Sequence, residues 1–331
     1  MRALPNEHHI IKSMVLRFAR KYVAGYTLDS ALKQARENSN MGLRTTMTYL
    51  NDGVRDAVRA RYNANAYAQL ARQASRLHLN YSISLRLSQI GLNVDEQVLG
   101  RCMSDIVGIT SDAGATTWVE AENGVSMDGL FSTYREYRKL GKVGLEIPIW
   151  YPLEVNTIKR YVRKGDIVKL TSYSYTADAA KDGRGGETGA GPSRVMGKKR
   201  ANDKGKAKDR EAKYPTNLID LYISNIGKLL QAEASVAVLD HDEGTIAKLA
   251  SFSREYKKSL IFELPLGYSK GWLKKLMKMK INLGVYVPYG KDWTPYIVNK
   301  VTASHGRISD IAAKVLDGQE TSVADGKKGI K

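Results

Sequence analysis

The 331-residue sequence predicts an α/β protein, a (β/α)₈ barrel of the TIM type with helices ahead of its first strand. Three observations predict it. Short β-rich runs alternate with amphipathic helical stretches, the pattern of a parallel sheet with helical crossovers. The runs number eight, the count that closes a barrel instead of leaving an open doubly wound sheet. No glycine-rich dinucleotide fingerprint opens the first unit, which argues against the Rossmann arrangement.

Along the chain, 13–39 reads as helical, FARKYVAG and then TLDSALKQARENS. Thr27 and Ser30 are placed to start the second of these helices, and we expect the helices to cap the N-terminal side of the barrel. The predicted strands are 43–50 (LRTTMTYL), 81–87 (YSISLRL), 116–121 (TTWVEA), 143–149 (VGLEIPI), 166–170 (DIVKL), 236–239 (VAVL), 260–264 (LIFEL) and 282–287 (NLGVYV). Val, Ile, Leu, Thr and Tyr dominate them, and these side chains suit a pleated, buried surface. Between strands, 54–77 reads as a helix with Val58, Tyr62, Tyr67, Leu70 and Ala74 on its apolar face. Shorter helical patterns run over 130–140, 224–233 and 271–279.

One stretch breaks the alternation. Residues 176–213 are rich in Gly, Lys, Ala and Asp and nearly free of large apolar side chains. Such a segment buries too little surface to offset its ordering entropy, so a disordered basic insert is expected there. It carries 11 basic and 5 acidic side chains between 181 and 213, a surplus of 6. The organisation expected is a helical segment over 1–42, a barrel over 43–316 interrupted by the insert, and a mobile polar tail over 317–331.

Composition narrows the function classes. Apolar residues make up 43%, enough for a full core, and charged residues 26%. The net charge of +18 favours an anionic partner: nucleic acid, anionic lipid or an acidic protein. Cys102 is the single cysteine, so no disulfide can form within the chain and no cysteine cluster can hold a metal. The five histidines (8, 9, 78, 241 and 305) show no ligand spacing, and no metal is expected. No apolar run approaches the roughly 20 residues of a membrane helix. The opening MRALPNEHHIIKS lacks a signal-peptide core, so a cytoplasmic protein is expected.

The order of motifs resembles that of the proline dehydrogenase family. RFARKYVAGYTLDSALKQARENSNMGLRTTMTYLND is similar to that family's opening helix and first strand. SISLRLSQIGLNVD, TWVEAEN, IVKL, LDHDE and IFELPLG follow in the family's order, and VYVPYGKDWTPYIVNK is close to its last strand and following helix. The resemblance implies a (β/α)₈ barrel that binds FAD and oxidises L-proline to pyrroline-5-carboxylate. It further implies that Tyr286, Tyr289 and Tyr296 flank the substrate ring and that Lys169 and His241 face the flavin.

The departures from the family fall on its chemistry. Where the family holds the substrate carboxylate with two arginines, this chain has Asn299 and Lys300. One positive charge remains and both bidentate forks are lost. The second-strand lysine becomes Arg86 and the third-strand aspartate Glu120. An Arg86–Glu120 pair in the mouth is expected, either as an enlarged active-site pair or as a structural salt bridge. Pro152 stands where an arginine would meet the flavin, Leu170 and Thr171 replace Gly-Ala, and Leu264 replaces a glutamine. We expect Leu170 to fill space a glycine would leave open and Leu264 to remove a flavin contact. Two readings follow: an altered proline dehydrogenase-like oxidoreductase, with Arg86, Glu120, Tyr286, Tyr289, Tyr296 and Lys300 at its centre, or a non-catalytic barrel that binds nucleic acid or an acidic partner through the insert.

Overall fold

The structure, a computed structural model, describes residues 21–122, 125–151, 153–172, 218–240, 242–252, 260–293 and 296–297. Its elements alternate from end to end: α1 (Leu28–Asn40), β1 (Arg44–Tyr49), α2 (Ala57–Arg76), β2 (Tyr81–Leu85), a 3₁₀ turn (Leu87–Ile90), α3 (Glu96–Asp112), β3 (Thr116–Val119), α4 (Met127–Tyr137), β4 (Val143–Pro148), α5 (Val155–Tyr161), β5 (Ile167–Thr171), α6 (Leu218–Gln231), β6 (Ser235–Leu239), α7 (Glu243–Phe252), β7 (Leu260–Pro265), α8 (Lys270–Lys278) and β8 (Asn282–Tyr289). The strands close into one parallel barrel in chain order, with β8 paired to β1. The fold class read from the alternation is therefore the fold observed. Residues 1–20, the insert at 176–213 and the tail at 317–331 lie outside the described residues.

Side chains alternate between the two faces of each strand. One set, including Met47, Ile83, Val119, Leu145, Val168 and Val285, joins the helices in the main apolar core. Leu170 and Leu264 belong to this outer core. This corrects the expectation that Leu170 fills ligand space inside the barrel and that Leu264 stands at a flavin-facing position there. Their strand neighbours Lys169 and Glu263 turn inward, and a step of one residue reverses the face.

Two further expectations are corrected. The described helix before β1 does not cap the barrel's N-terminal side. Helix α1, started by Thr27, whose hydroxyl accepts from the Ser30 amide at 3.3 Å, packs on the outside against β1 and β8. The stretch before it crosses the opposite, C-terminal end: the Ala24 amide donates to the Pro288 carbonyl and the Gly290 amide to the Gly25 carbonyl, each at 2.9 Å. Gly267 makes that crossing possible. Its φ is +92°, and a Cβ there would stand 2.7 Å from the Lys21 carbonyl oxygen. In α2, Tyr67, Leu70 and Ala74 are buried as predicted, but Val58 is 78% and Tyr62 57% exposed. The buried face runs instead through Ala60, Asn63, Ala64, Tyr67 and Ala71, so small side chains that let the helix approach the sheet outrank bulkier ones.

Three crossovers, α3, α5 and α7, have no counterpart among the predicted helices. The signal for α3 was present. Asp95 caps it by accepting from the Gln97 and Val98 amides at 2.8 and 3.1 Å.

Candidate functional site

The inward set of side chains is polar, unlike the branched aliphatic filling usual in such barrels. The contacts that prove the inward direction run between strands that are not neighbours. Thr46 on β1 donates to Glu263 Oε1 on β7 at 2.6 Å. Lys169 Nζ on β5 stands 2.7 Å from Glu263 Oε2 as an ion pair, its angles outside hydrogen-bond geometry. The same ammonium lies 4.4 Å from the ring centroid of Trp118 on β3 and 5.6 Å from that of Tyr286 on β8. These contacts form one layer in the middle of the barrel. Lys169 is 0% and Glu263 1% exposed, so the layer is sealed. Gly144 on β4 supplies the room for the indole, since a Cβ there would meet the Trp118 ring at 2.4 Å.

Above this layer, at the C-terminal end of the strands, sits a second one. Arg86, which follows β2, pairs with Asp52 at 2.8 Å and has its Nε 4.0 Å from Glu120 Oε2. The Tyr286 hydroxyl donates to Glu120 Oε1 at 2.5 Å. Glu146 points in from β4 between Glu120 and Lys169, and burial, reinforced by Glu120, holds its carboxyl well above the usual range. The same desolvation, with Glu120 beside it, pushes the Tyr286 phenol up. Glu122 accepts from the Ser88 amide at 2.9 Å and from its hydroxyl, yet burial still raises its carboxyl. Asp240, beyond β6, accepts from the Tyr222 hydroxyl at 2.9 Å and is likewise raised by burial.

The structure thus brings together Arg86, Glu120, Lys169 and Tyr286. Tyr296 packs with Tyr286, Tyr22, Leu50 and Leu239 in a small cluster over the mouth. Tyr289 is separate. It faces outward beside Tyr49, ring centroids 5.2 Å apart, because it lies three residues after the inward Tyr286 and so on the other face. His241, Lys300, Asn299 and Pro152 lie outside the described residues. The Arg86–Glu120 pair expected from the sequence is present but long, and Asp52 is the closer partner.

Four side chains of the site escaped the sequence reading: Asp52, Trp118, Glu146 and Glu263. The last two were detectable as lone carboxylates in the middle of apolar strands, in LEIPI and LIFEL. A carboxyl there either finds a partner across the barrel, as Glu263 does in Lys169, or is pushed by burial toward its neutral form, as Glu146 is.

The family resemblance implies that Lys169 would face a flavin. Here that ammonium is held by Glu263 and shielded by Trp118 below the mouth, an arrangement that does not fit that role. A ligand carboxylate would meet Arg86 already engaged by Asp52, among Glu120, Glu122 and Glu146.

No family model matches the chain. It is similar to proline dehydrogenase 1 of Bacillus subtilis, 23% identical over 291 residues that cover 86% of this chain and 85% of that protein. It is also similar to proline dehydrogenase 2 of Bacillus subtilis, 21% identical over 300 residues, with 88% of each covered. Among solved structures it is similar to proline utilization A from Bdellovibrio bacteriovorus, with a TM-score of 0.66 and 13% identity over 94% of this chain. Proline utilization A of Bradyrhizobium japonicum matches with a TM-score of 0.59 and 17% identity over 92% of this chain. The chain spans about a third of both of these, 35% and 33%. The fold is therefore that of a proline dehydrogenase-like barrel.

Proposed function

We propose that this proline dehydrogenase-like barrel has lost or altered the oxidation of L-proline. One observation carries the reading: both cations in the described interior are held by the protein's own carboxylates, Arg86 by Asp52 and Lys169 by Glu263. A proline carboxylate would have to displace Asp52 and approach three further buried carboxyls, Glu120, Glu122 and Glu146. Carboxyls gathered in a desolvated site disfavour a further anion, and Arg86 is already engaged by Asp52. On the flavin side, the buried Lys169 supports the same conclusion.

The test is a visible spectrum of the purified protein followed by dye reduction with L-proline. Absorbance at the flavin bands should be well below stoichiometric, and added L-proline should not reduce an electron acceptor. Arginines restored at Asn299 and Lys300 should not rescue turnover, since the Arg86–Asp52 and Lys169–Glu263 pairs persist. A yellow preparation with one flavin per chain and proline-dependent reduction would overturn the proposal.

A further inference from the structure

The outward face of α2 has a composition that the barrel does not explain. The helix has 20 residues and contains no Asp or Glu. Four arginines lie in it, Arg59, Arg61, Arg72 and Arg76, and among the described residues none of them forms a salt bridge. Positions 59, 62, 66, 69, 73 and 76 advance by alternating steps of three and four, so they form one stripe along about 25 Å of helix. Arg59, Tyr62, Gln69 and Arg76 on this stripe are exposed, and the exposed Arg72 flanks it. Tyr62, at 57% exposure, is an aromatic ring left in solvent between cations, with the Arg59 guanidinium 5.8 Å from its centroid.

The N-terminal half of the stripe forms one wall of a cleft of about 350 Å³. The cleft is lined by Tyr26, Tyr49, Tyr62 and Tyr289 together with Arg59 and Lys291, with one carboxylate, Asp292, beside them. It lies outside the barrel wall, beside the C-terminal ends of β1 and β8, because Tyr49 and Tyr289 face outward. Tyr26 is also half exposed, at 49%. Cations spaced along a helix and flat rings beside them match the alternation of phosphates and bases in an unpaired strand. Arginine forks bind phosphate oxygens, and tyrosine faces stack on any base. An acidic protein would complement the charge but leave the rings without a partner. The chain's net charge of +18 adds a long-range attraction.

We infer that the outer face of α2 and the adjoining tyrosine cleft bind single-stranded nucleic acid. The inference is independent of whether the mouth is catalytic, and it places the contact on the barrel, not on the 176–213 insert. The test is fluorescence anisotropy of the full chain with fluorescein-labelled 20-nucleotide oligo-dT and oligo-rU. With three arginines on phosphates, the log–log salt slope should be about −2, so affinity drops about 20-fold between 50 and 200 mM salt. Arg72→Gln and Arg76→Gln should each make the slope shallower by about 0.7. Tyr62→Ala, at an exposed position, should weaken binding about fivefold or more. Deletion of 177–212 should leave both effects in place. Thermal melts of each variant establish that the fold is kept. Three results would overturn the inference: no binding by the parent chain, binding that the α2 substitutions leave unchanged, or displacement of the oligonucleotide by polyglutamate of equal charge with Tyr62→Ala having no effect.

Discussion

Replacing Lys169 by methionine isolates the interaction on which the barrel interior depends. The ammonium is fully buried, 2.7 Å from Glu263 Oε2, and methionine keeps most of its volume and its contact with the Trp118 ring. What disappears is the charge. Glu263 then retains a single described hydrogen bond, from Thr46 at 2.6 Å, and no cation. Removing one partner of a buried pair costs about 3–5 kcal/mol, because the remaining charge stays desolvated and uncompensated. Domains of ordinary stability hold about 5–15 kcal/mol in total, so the loss would be plain in equilibrium urea unfolding. Glu263→Gln should cost a comparable amount by orphaning Lys169. The double variant Lys169→Met/Glu263→Gln should be less destabilised than the sum of the two by at least about 1.5 kcal/mol, since it removes both charges together. Additive effects, or a Lys169→Met variant within about 0.5 kcal/mol of the parent, would refute the sealed ion pair. They would also return Lys169 to the set of groups free to face a ligand.

Other outcomes follow from the same interior. Glu146 is raised by burial, so the native state binds its proton more tightly than the unfolded chain does. Stability is then lost as pH rises from the unfolded value of about 4.3, at up to about 1.4 kcal/mol per unit, until the folded value is passed. Glu146→Gln should therefore stabilise the protein at pH 7, with a gain that vanishes near pH 4 in denaturation series; a gain independent of pH would contradict the assignment. Gly144→Ala would place a Cβ 2.4 Å from the Trp118 ring and should cost about 1–3 kcal/mol or more in the same assay. Asp95→Ala removes the acceptor for two amides at the start of α3 and should cost about 1 kcal/mol, visible as a lower melting temperature.

The substitutions at the mouth gain their meaning from neighbours far away in the chain. Arg86 and Glu120 were legible as a candidate pair because they replace a lysine and an aspartate of the resembling family with their charges kept. The closer partner of Arg86 is Asp52, in the loop after β1, where spacing gives no hint of the contact. Leu170 read as an intrusion into a ligand site, and Leu264 as a lost flavin contact, because they align with a small and a polar position of a resembling family. In the structure they belong to the core between sheet and helices, and their neighbours Lys169 and Glu263 occupy the interior. Tyr289 and Tyr286 divide in the same way.

By itself the sequence determined the number and order of the strands, the parallel alternation, the first capping residue of α1 and the resemblance to proline dehydrogenases. Those properties are local: they depend on side-chain periodicity, turn chemistry and composition within short windows. The tertiary structure alone decided which face each strand residue takes and which charges meet. Glu120 and Tyr286 are 166 positions apart and Thr46 and Glu263 are 217 apart, yet each pair closes across the barrel. The physical reason is the twofold period of a strand. A shift of one residue leaves the local pattern almost unchanged, but it exchanges every inward side chain for an outward one.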